Sequence, residues 1–115
     1  MARMRTSAKL AEAAPVFAAL GDQTRLHIVA RLCGQGPLSI VRLARGAAVS
    51  RQAISKHLQV LQEAGIARSS RAGRESIWEL RTNRLLAVQR YLDQISQQWD
   101  AALARLRTLV EEPEQ

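Results

Sequence analysis

The stretch SRQAISKHLQVLQEAG, residues 50–65, constrains the fold of this chain more than any other segment. Ile54, Leu58, Leu61 and Ala64 recur at helical spacing and define a face that must be buried. Arg51, Gln52, Ser55, Lys56 and Gln59 crowd the other side, and no acid joins them before Glu63. Ser50 has the chemistry of an N-cap and Gly65 that of a C′ residue, so a helix over 51–64 is marked at both ends. Arg, Gln, Ser and Lys are side chains that read base edges in the DNA major groove. A solvated surface helix can have the same composition, so the flanking segments must decide between the two.

Before this helix, Ser39 caps a short helix whose inward residues are Ile40, Leu43 and Ala44, and Gly46 ends it. Short helix, glycine-containing turn and second helix with a polar front make a helix-turn-helix. After it the period changes. Ile66, Trp78 and Leu80 read as strand core, with Ala72-Gly73 as a two-residue turn and Arg68, Arg71 and Arg74 near the tip. A hairpin in this position, over 66–80, is the wing of a winged helix.

Two further helices precede the helix-turn-helix. Leu10, Ala13, Ala14, Phe17 and Leu20 form one stripe, with Pro15 implying a kink or a restart. Asp22 caps the next helix, whose expected buried stripe is Leu26, Val29, Leu32 and Cys33, with His27 exposed. At the other end, Leu85, Val88, Leu92, Ile95, Trp99, Ala102, Leu106 and Leu109 are spaced 3, 4, 3, 4, 3, 4 and 3. That is a heptad seam, on a helix over 84–110 that would be roughly 40 Å long. A chain of 115 residues cannot cover so long a seam alone, so a second copy is expected on it. Residues 1–7 read as a basic disordered tail, 8–83 as the winged domain and 111–115 as an acidic tail.

Composition agrees. Aromatic residues make up 3%, which favours helices over a β-sandwich. The net charge is +7, and residues 1–83 hold 13 basic against 5 acidic groups while 84–115 hold 4 against 5. The basic part thus contains the reading helix, which points to a polyanionic partner. Cys33 is the single cysteine and is expected in the core, with no intramolecular disulfide or CxxC metal site possible. No apolar run is long enough to span a membrane. The basic, Ala-rich start mimics a targeting peptide, but Glu12 and Pro15 interrupt it, and a cytoplasmic location is expected.

The order of these elements resembles the ArsR family of bacterial winged-helix regulators. The strings that carry the resemblance are FAALGDQTRLHIV (17–29), LSIVRLA (38–44), VSRQAISKHLQVLQEAGIARSSRAGRE (49–75) and IWEL (77–80). The resemblance implies a mainly α fold with a small β-hairpin, a winged helix-turn-helix flanked by N- and C-terminal dimerisation helices. It also implies a homodimer on a palindromic double-stranded operator, a repressor that releases DNA when an effector binds. The metal-sensing members carry Cys-x-Cys at the third helix, where this chain has LSIVRLA. Others use Asp and His on the last helix, where Asp93 and Asp100 stand without a histidine. No metal and no cofactor are expected, and the segment YLDQISQQWDAALARL fits a non-metal subgroup.

The expected DNA-contacting residues are Ser39, Arg42, Ser50, Arg51, Gln52, Ser55, Lys56, Arg68, Arg71 and Arg74. The expected dimer interface is Leu10, Phe17, Leu85, Val88, Leu92, Ile95, Trp99 and Leu106. A competing reading is a winged-helix interaction module that uses its basic face on RNA or a protein. Single-stranded RNA would call for stacking aromatics, and the outer face of 51–56 has none. An enzyme has no support, because no nucleophile-base pair, paired carboxylates or glycine-rich phosphate loop can be assembled from these helices.

Overall fold

The computed structural model describes the backbone of residues 2–111 and the side chains of residues 11–111. The elements are α1 (Ala2–Leu20), α2 (Gln23–Gln35), β1 (Leu38–Ser39), α3 (Ile40–Ala44), α4 (Arg51–Glu63), β2 (Ala67–Ala72), β3 (Glu75–Leu80) and α5 (Thr82–Glu111). The strands form one antiparallel sheet in the order β1-β3-β2. This is a winged helix-turn-helix with a long C-terminal helix.

The core is aliphatic. Val16, Ile28, Leu32, Leu38, Leu43, Ile54, Leu58, Leu61, Ile66 and Val88 surround Trp78, which anchors the sheet to the helices. At about 25 cal/mol per Å² of apolar area, each such side chain contributes about 1.5–3 kcal/mol on burial. The small strand β1 closes the sheet, with Leu38 paired to Trp78 and Ser39 to Ile77. It has no periodic signal of its own and exists because β3 offers an open edge.

Three expectations need correction. In α2 the buried residues are Ile28 and Leu32, with Val29 half-buried, whereas Leu26 is 52% exposed and Cys33 lies on the surface. Leu26, Ile28, Val29 and Leu32 allow two helical phases, and packing against α4 and β3 selects the one that turns Cys33 outward. In α1, Ala13, Val16 and Ala19 face the core, while Ala14 and Phe17 do not. The helix also begins at Ala2 and runs unbroken through Pro15, so it reaches into the segment expected to be a tail. The side chain of Leu10 lies outside the described residues, as does the chain after Glu111.

The wing turn is the third correction. Ala72 pairs with Glu75, so the two-residue turn is Gly73-Arg74, one position later than expected. Gly73 has φ +66° and Arg74 is not left-handed, the pattern of a Gly-first hairpin turn whose twist suits the strands.

Candidate nucleic-acid interface

The helix-turn-helix is built by caps. Ser39 Oγ accepts from the Arg42 N–H (3.2 Å) to start α3, and Ser50 Oγ accepts from the Ala53 N–H (3.1 Å) to start α4. Arg31 on α2 donates to the carbonyls of Leu43 (2.8 Å) and Arg42 (3.1 Å), holding the C-terminal end of α3 where the helix dipole is negative. The end of α4 is a Schellman motif. The Gly65 N–H donates to Gln62 and the Ile66 N–H to Leu61, each at 2.9 Å, around Gly65 at φ +78°.

A second polar cluster fixes the base of α4. Asp22 caps α2 by accepting from the Arg25 N–H (3.0 Å). The Arg25 guanidinium donates to the carbonyls of Ala18 and Ala19 at the end of α1, and its Nη1 lies 3.2 Å from His57 Nδ1. His57 Nδ1 is also 3.8 Å from Asp22. The Arg25 backbone N–H lowers the Asp22 carboxyl below its ordinary value, against an opposing desolvation, with the Arg25 guanidinium adding to the effect. One arginine therefore joins α1, α2 and α4. Its role has no sequence signal, because the three contacts come from separate helices. His57 packs at the base of the reading helix and is not on its outer face.

With α4 anchored through Ile54, Leu58 and Leu61, its outer face presents Arg51, Gln52, Lys56 and Gln59 as exposed side chains, with Ser55 half-buried. Ser50 is exposed beside them. A cleft of about 210 Å³ lies between the start of α3, the first residue of α4 and the wing, and both Arg51 and Arg74 line it. The fold thus brings together two cations separated by 23 positions in the chain. Arg71 is exposed on β2 opposite Ser76, and Arg42 is exposed on α3.

Two expected contacts stand apart. Ser39 is 4% exposed and its Oγ accepts the Arg42 N–H as the cap of α3, so only a small part of it lines the cleft. Arg68 is at the base of the wing, not its tip, paired across the strands with Glu79 at 2.7 Å. Its charge is thereby partly neutralised before any polyanion arrives.

On the other side of the molecule, α5 carries the expected seam. Val88 is buried, Leu85 and Ile95 are half-buried, and Leu92, Trp99 and Leu106 are exposed by 47%, 65% and 57%. Phe17 is 38% exposed and meets Tyr91 with ring centroids 6.2 Å apart. Among the described residues, no group of three or more His, Cys, Asp or Glu side chains could hold a metal ion. No described helix is long and apolar enough to cross a membrane.

A family model described as a helix-turn-helix domain matches residues 20–70. The chain is 39% identical over 93 residues to the HTH-type transcriptional regulator Rv2034 of Mycobacterium tuberculosis, covering 81% of this chain and 83% of that protein. The solved structure of an ArsR-like transcriptional regulator from Rhodococcus sp. RHA1 superposes with a TM-score of 0.71 at 41% identity, covering 86% of this chain and 92% of that one. The chain belongs to the ArsR family. This ArsR-family protein is a transcriptional regulator with a winged helix-turn-helix DNA-binding domain, and its family is one of DNA-binding regulators, not enzymes. A further structural relative is the homodimeric winged helix-turn-helix domain of Mb0332 from Mycobacterium bovis. It has a TM-score of 0.62 at 26% identity and covers 82% of this chain and 85% of that fragment.

Proposed function

We propose that this regulator works as a homodimer on a palindromic operator, repressing transcription from its own promoter. The observation that carries the reading is the outer face of α4: Arg51, Gln52 and Lys56 are exposed at its N-terminal end, with Arg74 of the wing lining the cleft beside Arg51. Helix-turn-helix domains enter the major groove by that end of the second helix. Arg51 and Lys56 suit guanine, Gln52 suits adenine, and Ser50 and Ser55 add hydroxyls close by. Arg71, Arg74 and Arg42 meet backbone phosphates or the minor groove. The exposed seam of α5 and Phe17 supports a second copy, as does the homodimeric relative. Two copies about a two-fold axis require half-sites about 34 Å apart, one helical turn.

The test compares Gln52→Ala with Arg71→Ala on a duplex from the protein's own upstream region and on a scrambled duplex, at several salt concentrations. Gln52→Ala costs about 1–3 kcal/mol on the specific duplex and little on the scrambled one. Arg71→Ala weakens both and lowers the salt slope by about one unit per subunit. An equal loss on both duplexes for Gln52→Ala would remove α4 as the reader and leave an interaction module for RNA or protein as the better reading.

A further inference from the structure

A groove of about 270 Å³ runs between α1 and α5. Val16 and Val88, both buried, line it together with Ala87 and Tyr91. Its charged residues are Arg84 and Arg90 from α5 and Glu12 from α1. The ion pairs among the described residues join His57 to Asp22 and Arg68 to Glu79, so neither groove arginine has a carboxylate partner. An apolar lining with two unpaired cations and one acid is complementary to an amphipathic anion.

Two observations locate this groove on the molecule. At about 100° of rotation per residue, Ala87, Arg90 and Tyr91 lie on one flank of Val88, and Leu92, Trp99 and Leu103 on the other. The groove therefore lies on the flank of α5 next to the exposed apolar stripe, and Val88 borders both. Arg84 also covers the end of the reading helix: a Cβ placed on Gly65 would lie 3.0 Å from Arg84 Cγ and 3.2 Å from its Nε. The arginine that lines the groove thus also packs on the C′ residue of α4.

We infer that the α1–α5 groove binds a small amphipathic carboxylate, and that its occupancy changes DNA affinity through Arg84 and Gly65. The apolar body rests on Val16, Ala87 and Val88, and the carboxylate accepts hydrogen bonds from Arg84 and Arg90. Drawing Arg84 toward the ligand loosens its packing on Gly65, where α4 is fixed. The effect on DNA rests on the operator-binding reading above; the binding of the carboxylate does not.

The probe is octanoate, titrated calorimetrically into the full chain without DNA, with 1-octanol as the uncharged control. Octanoate binds once per chain and about tenfold more tightly than 1-octanol, the difference a charge-assisted hydrogen bond supplies. Arg90→Gln removes about that tenfold and leaves 1-octanol unchanged. Ala87→Phe fills the groove from an exposed position and abolishes both. Equal binding of the two probes, no octanoate binding at millimolar concentration, or full binding to Ala87→Phe overturns the site. In a second arm, saturating octanoate shifts affinity for the upstream duplex by about fivefold or more in the wild type. An unchanged affinity with octanoate bound overturns the coupling. Absence of any DNA binding overturns both the operator reading and the coupling, while the calorimetric result still decides the site.

Discussion

Gly65 shows how one residue holds two elements in place. Its φ of +78° ends α4, and Arg84 packs across it. Gly65→Ala places an L side chain in the left-handed region, at about 1–2 kcal/mol, and pushes Arg84 aside as well. The denaturation midpoint falls by the corresponding amount with an unchanged m value; an unshifted midpoint would show that the turn relaxes without cost. Cys33 makes the opposite point. It was expected in the core as a small hydrophobe, yet it is on the solvent face of α2. One thiol per native chain therefore reacts with an aromatic disulfide reagent without denaturant. Cys33→Ser leaves stability within about 0.5 kcal/mol. A thiol that reacts only after unfolding would contradict the observed phase of the helix.

At the scale of elements, α5 is the part that one chain leaves unfinished. Of its 30 residues only Val88 is buried, while Leu92, Trp99, Leu103, Leu106, Leu109 and Val110 are each between 47% and 76% exposed. Leu92, Trp99, Leu106 and Leu109 follow from the heptad spacing, with Leu103 and Val110 beside them, and the stripe faces solvent because no other element of the same chain extends far enough to cover it. Ile95, half-buried at mid-seam, is the position where a charge does most damage to the proposed dimer. Ile95→Asp buries an unpaired carboxylate between two helices, at a cost of several kcal/mol (roughly 2–7 for even an uncharged polar group). Sedimentation of the variant then gives monomer or aggregate. A stable dimer of unchanged stability would require a different interface.

The whole molecule measures 71 × 34 × 20 Å, with a radius of gyration of 19.3 Å against about 13 Å for a compact chain of roughly 100 residues. Thirteen of its 17 basic residues lie in residues 1–83, and its C-terminal segment is almost neutral. This division sets the reading surface and the proposed dimer surface on different elements. It also leaves no group of metal-ligating side chains among the described residues. DNA affinity therefore changes by no more than about twofold when Zn²⁺ or a chelator is added, since a metal-dependent fold or switch needs about four ligands. A stoichiometric metal retained through purification would overturn this.

The winged helix-turn-helix was legible because its signals are local. Caps at Ser39 and Ser50, the stop at Gly65, the alternation after it and the long heptad seam all depend on neighbours a few residues away. The outer face of α4 was legible for the same reason: one strongly amphipathic helix has one possible inside. Where apolar residues occupy several sides, as in Ala13–Leu20 and Leu26–Cys33, local periodicity permits more than one phase. Packing between elements then chooses, and it turned Phe17, Leu26 and Cys33 outward. Tertiary structure alone also made β1 a strand, buried Ser39, paired Arg68 with Glu79 and brought Arg25 to His57. Each of these depends on a partner distant in sequence or on burial by other elements. Such partners become neighbours only when burial of the shared core brings the helices and the wing together.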